Sequence, residues 1–217
     1  KLRKVSKELT YLLFILKLKN EDYSTRNFLK KAIEKYNELS SISGLQVEYE
    51  SLGIEDEIDE LLENVKNNKD VTFLTYPAYE EMNWLVHGFS TRFGGMSRGI
   101  YSSMNLSFTR GDEESCVKEN YRRISDAMGF DTNSIVTSDQ THTNNVRKVT
   151  EKDRGKGIVI PRDYTDTDGM ITNVPGLVLA TFYADCVPLY FADPVNHAIG
   201  LSHSGWRGTV QKIGAVT

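Results

Sequence analysis

The stretch from Leu177 to His203 leaves this chain little choice but to build a β-sheet. Leu177 to Ala184 reads Leu-Val-Leu-Ala-Thr-Phe-Tyr-Ala, an apolar run suited to a buried strand, and Leu189 to Ala192 and His197 to Ser202 supply two more. Asp193-Pro194-Val195-Asn196 joins the last two. Asp in the first place and Pro in the second is the chemistry of a type I turn, which pairs Asp193 with Asn196. Carried along the ladder, that register sets Cys186 directly opposite His203, with Cβ atoms about 4.5 to 5.5 Å apart. A one-residue slip would send the two side chains to opposite faces.

The rest of the chain falls into two textures. Beyond residue 70 come short β-type runs separated by Gly, Asn and Asp: Val71 to Thr75, Trp84 to Phe89, Ile135 to Thr137, Val146 to Val149 and Gly169 to Thr172. One helix interrupts them, Glu114 to Met128, closed by Gly129 as its C-cap. Before that point, Leu9, Leu12, Leu13 and Leu16, then Phe28, Ala32, Ile33 and Tyr36, recur at helical spacing, and Glu55 to Val65 reads as a third amphipathic helix. Asn67-Asn68-Lys69-Asp70 breaks that pattern. The expected architecture is therefore α/β in the broad sense (α+β), a mixed β-sheet core with flanking helices over residues 71–217. A small helical segment of unknown role, residues 1–70, precedes it.

A length of 217 residues with 39% hydrophobic and 26% charged residues suffices for a buried core. The net charge of -4 argues against nucleic acid or an anionic membrane as partner, because such binding needs clustered Lys and Arg. Two cysteines, Cys116 and Cys186, are too few for a disulfide framework and point to a reducing, cytoplasmic setting. The apolar run Tyr11 to Leu16 is far shorter than the roughly 20 residues that span a bilayer. The chain begins at Lys1 without Met and stops at Thr217 inside what reads as a helix, so sequence is expected to be missing at both ends.

Cys186 and His203 facing each other are two ligands suited to one tetrahedral ion, and His142 in Gln140-Thr141-His142 is the natural third, just before the Val146 strand. His197 falls beside the turn and reads as a solvated strand residue. Two His and one Cys leave a fourth position for water, the pattern of catalytic zinc. On spacing alone a plainer reading stays open, with Cys186 a buried small hydrophobe and His203 a core histidine. Ser204-Gly205-Trp206-Arg207-Gly208-Thr209 is a glycine-bracketed turn leading into a helix, a place where anions bind to backbone N–H groups. Thr91-Arg92-Phe93-Gly94-Gly95 is a second glycine turn carrying an Arg.

The ordered set His87-Gly88-Phe89-Ser90-Thr91-Arg92-Phe93-Gly94-Gly95-Met96-Ser97, Met104-Asn105-Leu106, Glu119-Asn120-Tyr121-Arg122-Arg123, Gln140-Thr141-His142, Asp168-Gly169-Met170-Ile171-Thr172, Ala184-Asp185-Cys186-Val187-Pro188 and His203 to Thr209 resembles the laccase-domain family. That family, long labelled multicopper polyphenol oxidase, is understood as purine nucleoside phosphorylases with some adenosine deaminase and methylthioadenosine phosphorylase activity. The resemblance covers about Val71 to Thr217. It implies metal ligation and catalysis at His142, Cys186 and His203. Phosphate needs a cationic or N–H-lined pocket, and Arg92, Asn105, Arg207 and the Gly205 to Gly208 turn are the candidate substrate or phosphate contacts. Asp168 or Asp185 would orient a ligand histidine. Thr143 stands where many relatives have Gly, and the family continues beyond the Gly-Trp-Arg-Gly motif, which implies a missing C-terminal part. Residues 1–70 match nothing in it.

The expected function is zinc-dependent phosphorolysis of a purine nucleoside, with inorganic phosphate as co-substrate and adenosine deamination as a side activity. Nucleic acid and membrane are not expected partners, and the sequence leaves oligomeric state open. The rivals are a copper-dependent polyphenol oxidase, a thiol hydrolase with Cys186 as nucleophile and His203 as base, and a non-catalytic interaction module. One Cys and two obvious His are too few for the several copper centres of four-electron oxygen reduction.

Overall fold

The computed structural model describes residues 65–217. The chain divides into two compact units, residues 1–65 and 66–217. The helices expected before residue 65 lie outside the described residues. Val65, expected as the end of the third helix, instead opens a strand.

Asn67 to Asp70, where the helical pattern breaks, lies in a tight hairpin. Strands β1 (Val65–Asn68) and β2 (Val71–Leu74) are neighbours in a three-stranded sheet completed by β3 (Phe89–Ser90). Lys69 and Asp70, at φ 49° and 66°, form the two-residue connection. Positive φ at both positions is the type I′ geometry, whose twist matches that of the strands it joins. The strand expected over Trp84 to Phe89 shrinks to Phe89–Ser90, because side chains hold the segment before it. His87 Nε2 accepts the Tyr76 N–H at 2.8 Å, and the Tyr190 hydroxyl donates to the Gly88 carbonyl at 3.0 Å. A short helix, α1 (Pro77–Glu80), lies within this connection.

Helix α2 (Glu114–Met128) forms as the sequence leads one to expect, and Gly129 ends it at φ 81°. A left-handed C-cap without a Cβ carries no steric penalty. Its buried face packs Ile124 and Ala127 with Val71, Phe73 and Met104, and Val117 and Tyr121 with Ile135. Asn120, fully buried, donates to Ser97 Oγ and to the Ser103 and Asn105 carbonyls and accepts from Met96 N–H, which ties the loops before the helix to it.

Beyond α2, β4 (Ile135–Thr137) pairs in parallel with β7 (Val178–Ala180). A four-stranded sheet runs in the order β5 (Val146–Lys148), β6 (Gly169–Thr172), β9 (Ala198–Ser204), β8 (Val187–Asp193). β5 and β6 are parallel, and the β6–β9 and β9–β8 pairs are antiparallel. Val136, Val149, Met170, Leu177, Leu179 and Leu201 form the core between them. Each such side chain contributes about 1.5–3 kcal/mol by leaving water. Only Val178 to Ala180 of the expected strand Leu177 to Ala184 are ladder-paired.

The β8–β9 hairpin corrects the expected register. Asp193 pairs with Ala198, not Asn196, so Pro188 and not Cys186 stands opposite His203. The cause is local: Asp193 Oδ1 accepts both Val195 and Asn196 N–H, and His197 takes φ 47°, giving a four-residue loop from Pro194 to His197. The slip is two residues. Because side chains alternate with period two, Cys186 and His203 remain on one face as diagonal neighbours. The helix expected after Gly205 is two short pieces, α3 (Trp206–Val210) and α4 (Ile213–Val216), broken at Lys212 with φ 62°.

A buried ion cluster locks the connection from β5 to β6. Asp153, 2% exposed, accepts from Lys156 Nζ at 2.9 Å, Arg147 Nη2 at 3.0 Å and Thr150 N–H at 2.9 Å. Burial alone would raise its pKa, but these donors outweigh burial and hold the carboxyl below its ordinary range. Asp153→Ala is expected to cost about 1–3 kcal/mol in denaturant unfolding, since it removes the acceptor shared by Lys156, Arg147 and Thr150 and leaves Lys156 with Asp163 alone. A depressed folded-state pKa means that the unfolded chain binds the proton first. The contribution is therefore present above about pH 4 and fades as pH falls through the lower folded value. Asp153→Asn should flatten that acid limb of the stability profile.

Candidate metal centre

His142, Cys186 and His203 come from three separate segments: the β4–β5 loop, the residue just before β8, and the end of β9. Each offers one ligand atom, and the three atoms lie within 4.8 Å of one another. The two imidazoles meet edge to face, with centroids 4.8 Å apart and planes at 81°. His203 is buried, Cys186 half-buried and His142 exposed, so the group is walled on one side and reachable on the other. Among the described residues, this is the group of three or more His, Cys, Asp or Glu side chains able to hold a metal ion.

One carboxylate underlies this arrangement. Asp168, fully buried just before β6, accepts the N–H groups of Thr141 (3.0 Å), His142 (3.0 Å) and Thr143 (2.9 Å), and the Thr143 hydroxyl (3.0 Å). Its Oδ1 also lies 2.7 Å from His203 Nδ1. The ladder explains the placement: Gly169 pairs with Ser202, and the next step is the His203 N–H bond to the Asp168 carbonyl at 2.7 Å. Burial pushes the Asp168 pKa up, but hydrogen bonds from Thr143, His203 and Thr141 outweigh it and keep the carboxyl below its ordinary range. Asp185, the other expected orienting residue, is exposed. His142 itself sits at φ 67°, a left-handed conformation that costs a non-glycine residue about 1–2 kcal/mol.

Gly205 is the close-approach point. A Cβ there would stand 2.7 Å from His142 Cδ2 and 3.2 Å from Cys186 Sγ. Tyr183, whose ring centroid is 5.6 Å from that of His203, donates to the Ser202 carbonyl at 3.2 Å, and burial pushes its pKa up to about 12. Neither Gly205 nor Tyr183 stood out in the sequence as part of the metal-donor group. Their signals were only adjacency: the glycine follows the His203 strand, and the tyrosine precedes Cys186 by three residues.

The remaining candidates are not among the three donors. Arg92 Nε donates to the Ser102 carbonyl at 3.0 Å. Asn105 is engaged by Asp112 Oδ2 at 3.0 Å and by Ser107 N–H at 3.1 Å. Arg207 is exposed on α3, its guanidinium 5.3 Å from the Trp206 ring centroid. His197 is exposed and stacked on Trp84 at 4.9 Å, in the turn and not within a strand. His87 packs against Tyr76 and Tyr79, and burial lowers its pKa. A cleft of about 1800 Å³ is lined by Gln140, Tyr183 and Ala184 but by none of the three donors, so it borders the group without containing it. The donor chemistry, not the cleft's size, marks the candidate site. No helix among the described residues is long and apolar enough to cross a membrane.

Residues 86–217, which hold all of these donors, match the family model for multi-copper polyphenol oxidoreductase laccase. The chain belongs to this laccase family. Relatives include purine nucleoside phosphorylase YlmD of Bacillus subtilis (strain 168), 43% identical over 134 residues, which is 60% of this chain and 47% of that protein. Purine nucleoside phosphorylase LACC1 of Mus musculus is 37% identical over 168 residues, covering 76% of this chain and 36% of the mouse protein. The crystal structure of YlmD from Geobacillus stearothermophilus superposes with TM-score 0.61 and 32% identity, over 70% of this chain and 55% of that one. The chain thus spans about half the length, or less, of the laccase-family relatives it matches.

Proposed function

We propose that this laccase-family domain is part of a zinc-dependent purine nucleoside phosphorylase, which converts a purine nucleoside and inorganic phosphate to free base and sugar 1-phosphate. The observation that carries the reading is the His142, Cys186, His203 group with its exposed side. Zinc–sulfur bonds of about 2.3 Å and zinc–nitrogen bonds of about 2.0–2.1 Å suit one thiolate and two imidazoles, with a small inward shift of the donors and one position left for solvent or substrate. When bound, zinc supplies a Lewis acid and an acidified water. The names of the relatives support the substrate class.

In phosphorolysis a phosphate oxygen bonds to the sugar C1′ while the C1′–N bond breaks, and the base leaves with the bonding pair and takes up a proton. The protein's part is to hold the two reactants together and shield them from water. Arg92, Asn105 and Arg207 are our candidate substrate or phosphate contacts. Arg207 has the strongest claim, being exposed two residues after Gly205. Adenosine, inosine, guanosine and methylthioadenosine are all candidate nucleosides, and adenosine deamination is a candidate side reaction.

A copper-dependent phenol oxidase fits less well. The sequence given has four histidines and two cysteines. Of these, His87 accepts a backbone N–H and His197 stacks on a tryptophan outside the donor group. A thiol hydrolase is favoured by one specific observation, the His203–Asp168 contact, which is also how a catalytic base is held.

The test is chromatography of base and sugar products from the natural full-length protein, with and without phosphate, beside an oxygen electrode. Base release should require phosphate, and oxygen uptake with phenols should stay at background. Release without phosphate would mean hydrolysis. Inosine formed from adenosine without free base would mean deamination alone, and copper-dependent oxygen uptake would replace the phosphorylase reading.

A further inference from the structure

We propose that Asp168 is a positioning residue for two metal ligands at once, fixing the tautomer of His203 and the backbone turn that presents His142. The inference rests on reading the His142, Cys186, His203 group as a metal site, and goes beyond it by naming what holds that group ready. The three consecutive N–H groups of Thr141, His142 and Thr143 are all aimed at one carboxylate. Successive amides converge on an anion when left-handed backbone enters the turn, forming a nest. His142, at φ 67°, supplies that residue. The strained conformation and the buried anion therefore explain each other: without the carboxylate, three amides would lose their acceptor and the turn its reason to stay left-handed.

The second arm follows from hydrogen-bond capacity. A carboxylate that already accepts three backbone N–H groups and the Thr143 hydroxyl is ionised and can only accept. The 2.7 Å contact must then have His203 Nδ1–H as donor. That leaves the lone pair on Nε2, the nitrogen offered to the metal. Asp168 Oδ1 receives both the His142 N–H and His203 Nδ1–H, so one oxygen atom links the two histidines. Replacing Asp by Asn puts an NH₂ where an oxygen faced donors, and removes the charge that holds the nest.

The experiment compares the wild-type full chain with Asp168→Asn by zinc titration against a chromophoric chelator. It adds long-range proton–nitrogen NMR of the His203 ring in zinc-free protein at pH 8. Wild type should show Nδ1–H and a bare Nε2. The variant should mix tautomers and bind zinc about 10–100-fold more weakly, the usual loss for an outer partner of a ligand histidine. Equal zinc affinity in the two proteins, with an unchanged tautomer, would overturn the proposal. If wild type binds no zinc, the metal reading fails, yet the tautomer still tests Asp168's hold on His203. If the variant does not fold, the wild-type spectrum decides, because a His203 protonated at Nε2 is incompatible with the assignment.

Discussion

Cys186→Ala and His203→Ala should each abolish metal binding and activity together, taking a protein with one zinc per chain to less than about a tenth of that. The loss should exceed the roughly 10–100-fold that removal of an outer partner costs, because each variant deletes a bond to the ion itself. His203→Ala removes in addition the ring that fills the wall behind the group, since His203 is 3% exposed. Cys186→Ala is the cleaner variant, its side chain being half-buried and free of disulfide. Metal analysis of unstripped protein, read beside activity, separates the readings. Stoichiometric zinc in an inactive Cys186→Ala protein would transfer the assignment to a thiol nucleophile. His197→Ala should change neither quantity, since that ring stacks on Trp84 outside the donor group.

Gly205→Ala should weaken metal binding at least about 10-fold while leaving the fold intact, and Gly205→Val should abolish it. The backbone at Gly205, φ -74° and ψ 169°, is open to any residue, so the substitution carries no conformational strain. What it meets is steric. A Cβ 2.7 Å from His142 Cδ2 forces that ring away, and one 3.2 Å from Cys186 Sγ leaves the thiol no slack in compensation. Overpacking of this kind costs about 1–3 kcal/mol when neighbours can yield, and here the yielding neighbours are the proposed metal donors. Zinc titration beside thermal unfolding of the zinc-free protein makes the check. Wild-type affinity in Gly205→Ala would show that the ring and thiol do not sit where the structure has them.

Much of the candidate site was legible because ligand residues obey parity. Cys186 and His203 share a face whether the hairpin turns in two residues or four, so the convergence survived an error in the register itself. The loop length was not legible. It depends on Asp193 accepting two N–H groups and on His197 entering a left-handed conformation, and a Pro in second place signals neither. Helix α2 was readable from periodicity and Gly129. The parallel pairings β4–β7 and β5–β6 were not, since they join segments far apart in sequence with no turn to announce them. Trp84 to Gly88 shows a β-type composition whose polar groups are satisfied by Tyr76 and Tyr190 instead of a ladder. Asp168 was a candidate for one contact with one histidine; the triple backbone grip needed the loop's shape.

The order of the four-stranded sheet, β5-β6-β9-β8, has a kinetic consequence. Cys186 precedes β8 and His203 closes β9, so one hairpin brings these two together, whereas His142 joins them only when β6 has paired with β9 and set Asp168 beside His203. Contacts this distant along the chain are slow to form, since the intervening loops must close first. On the proposed metal reading, capture of the ion is therefore a late event that reports completed assembly. An ion that binds only the finished arrangement adds its free energy to that state alone, and acts as a latch on the sheet that created its binding place.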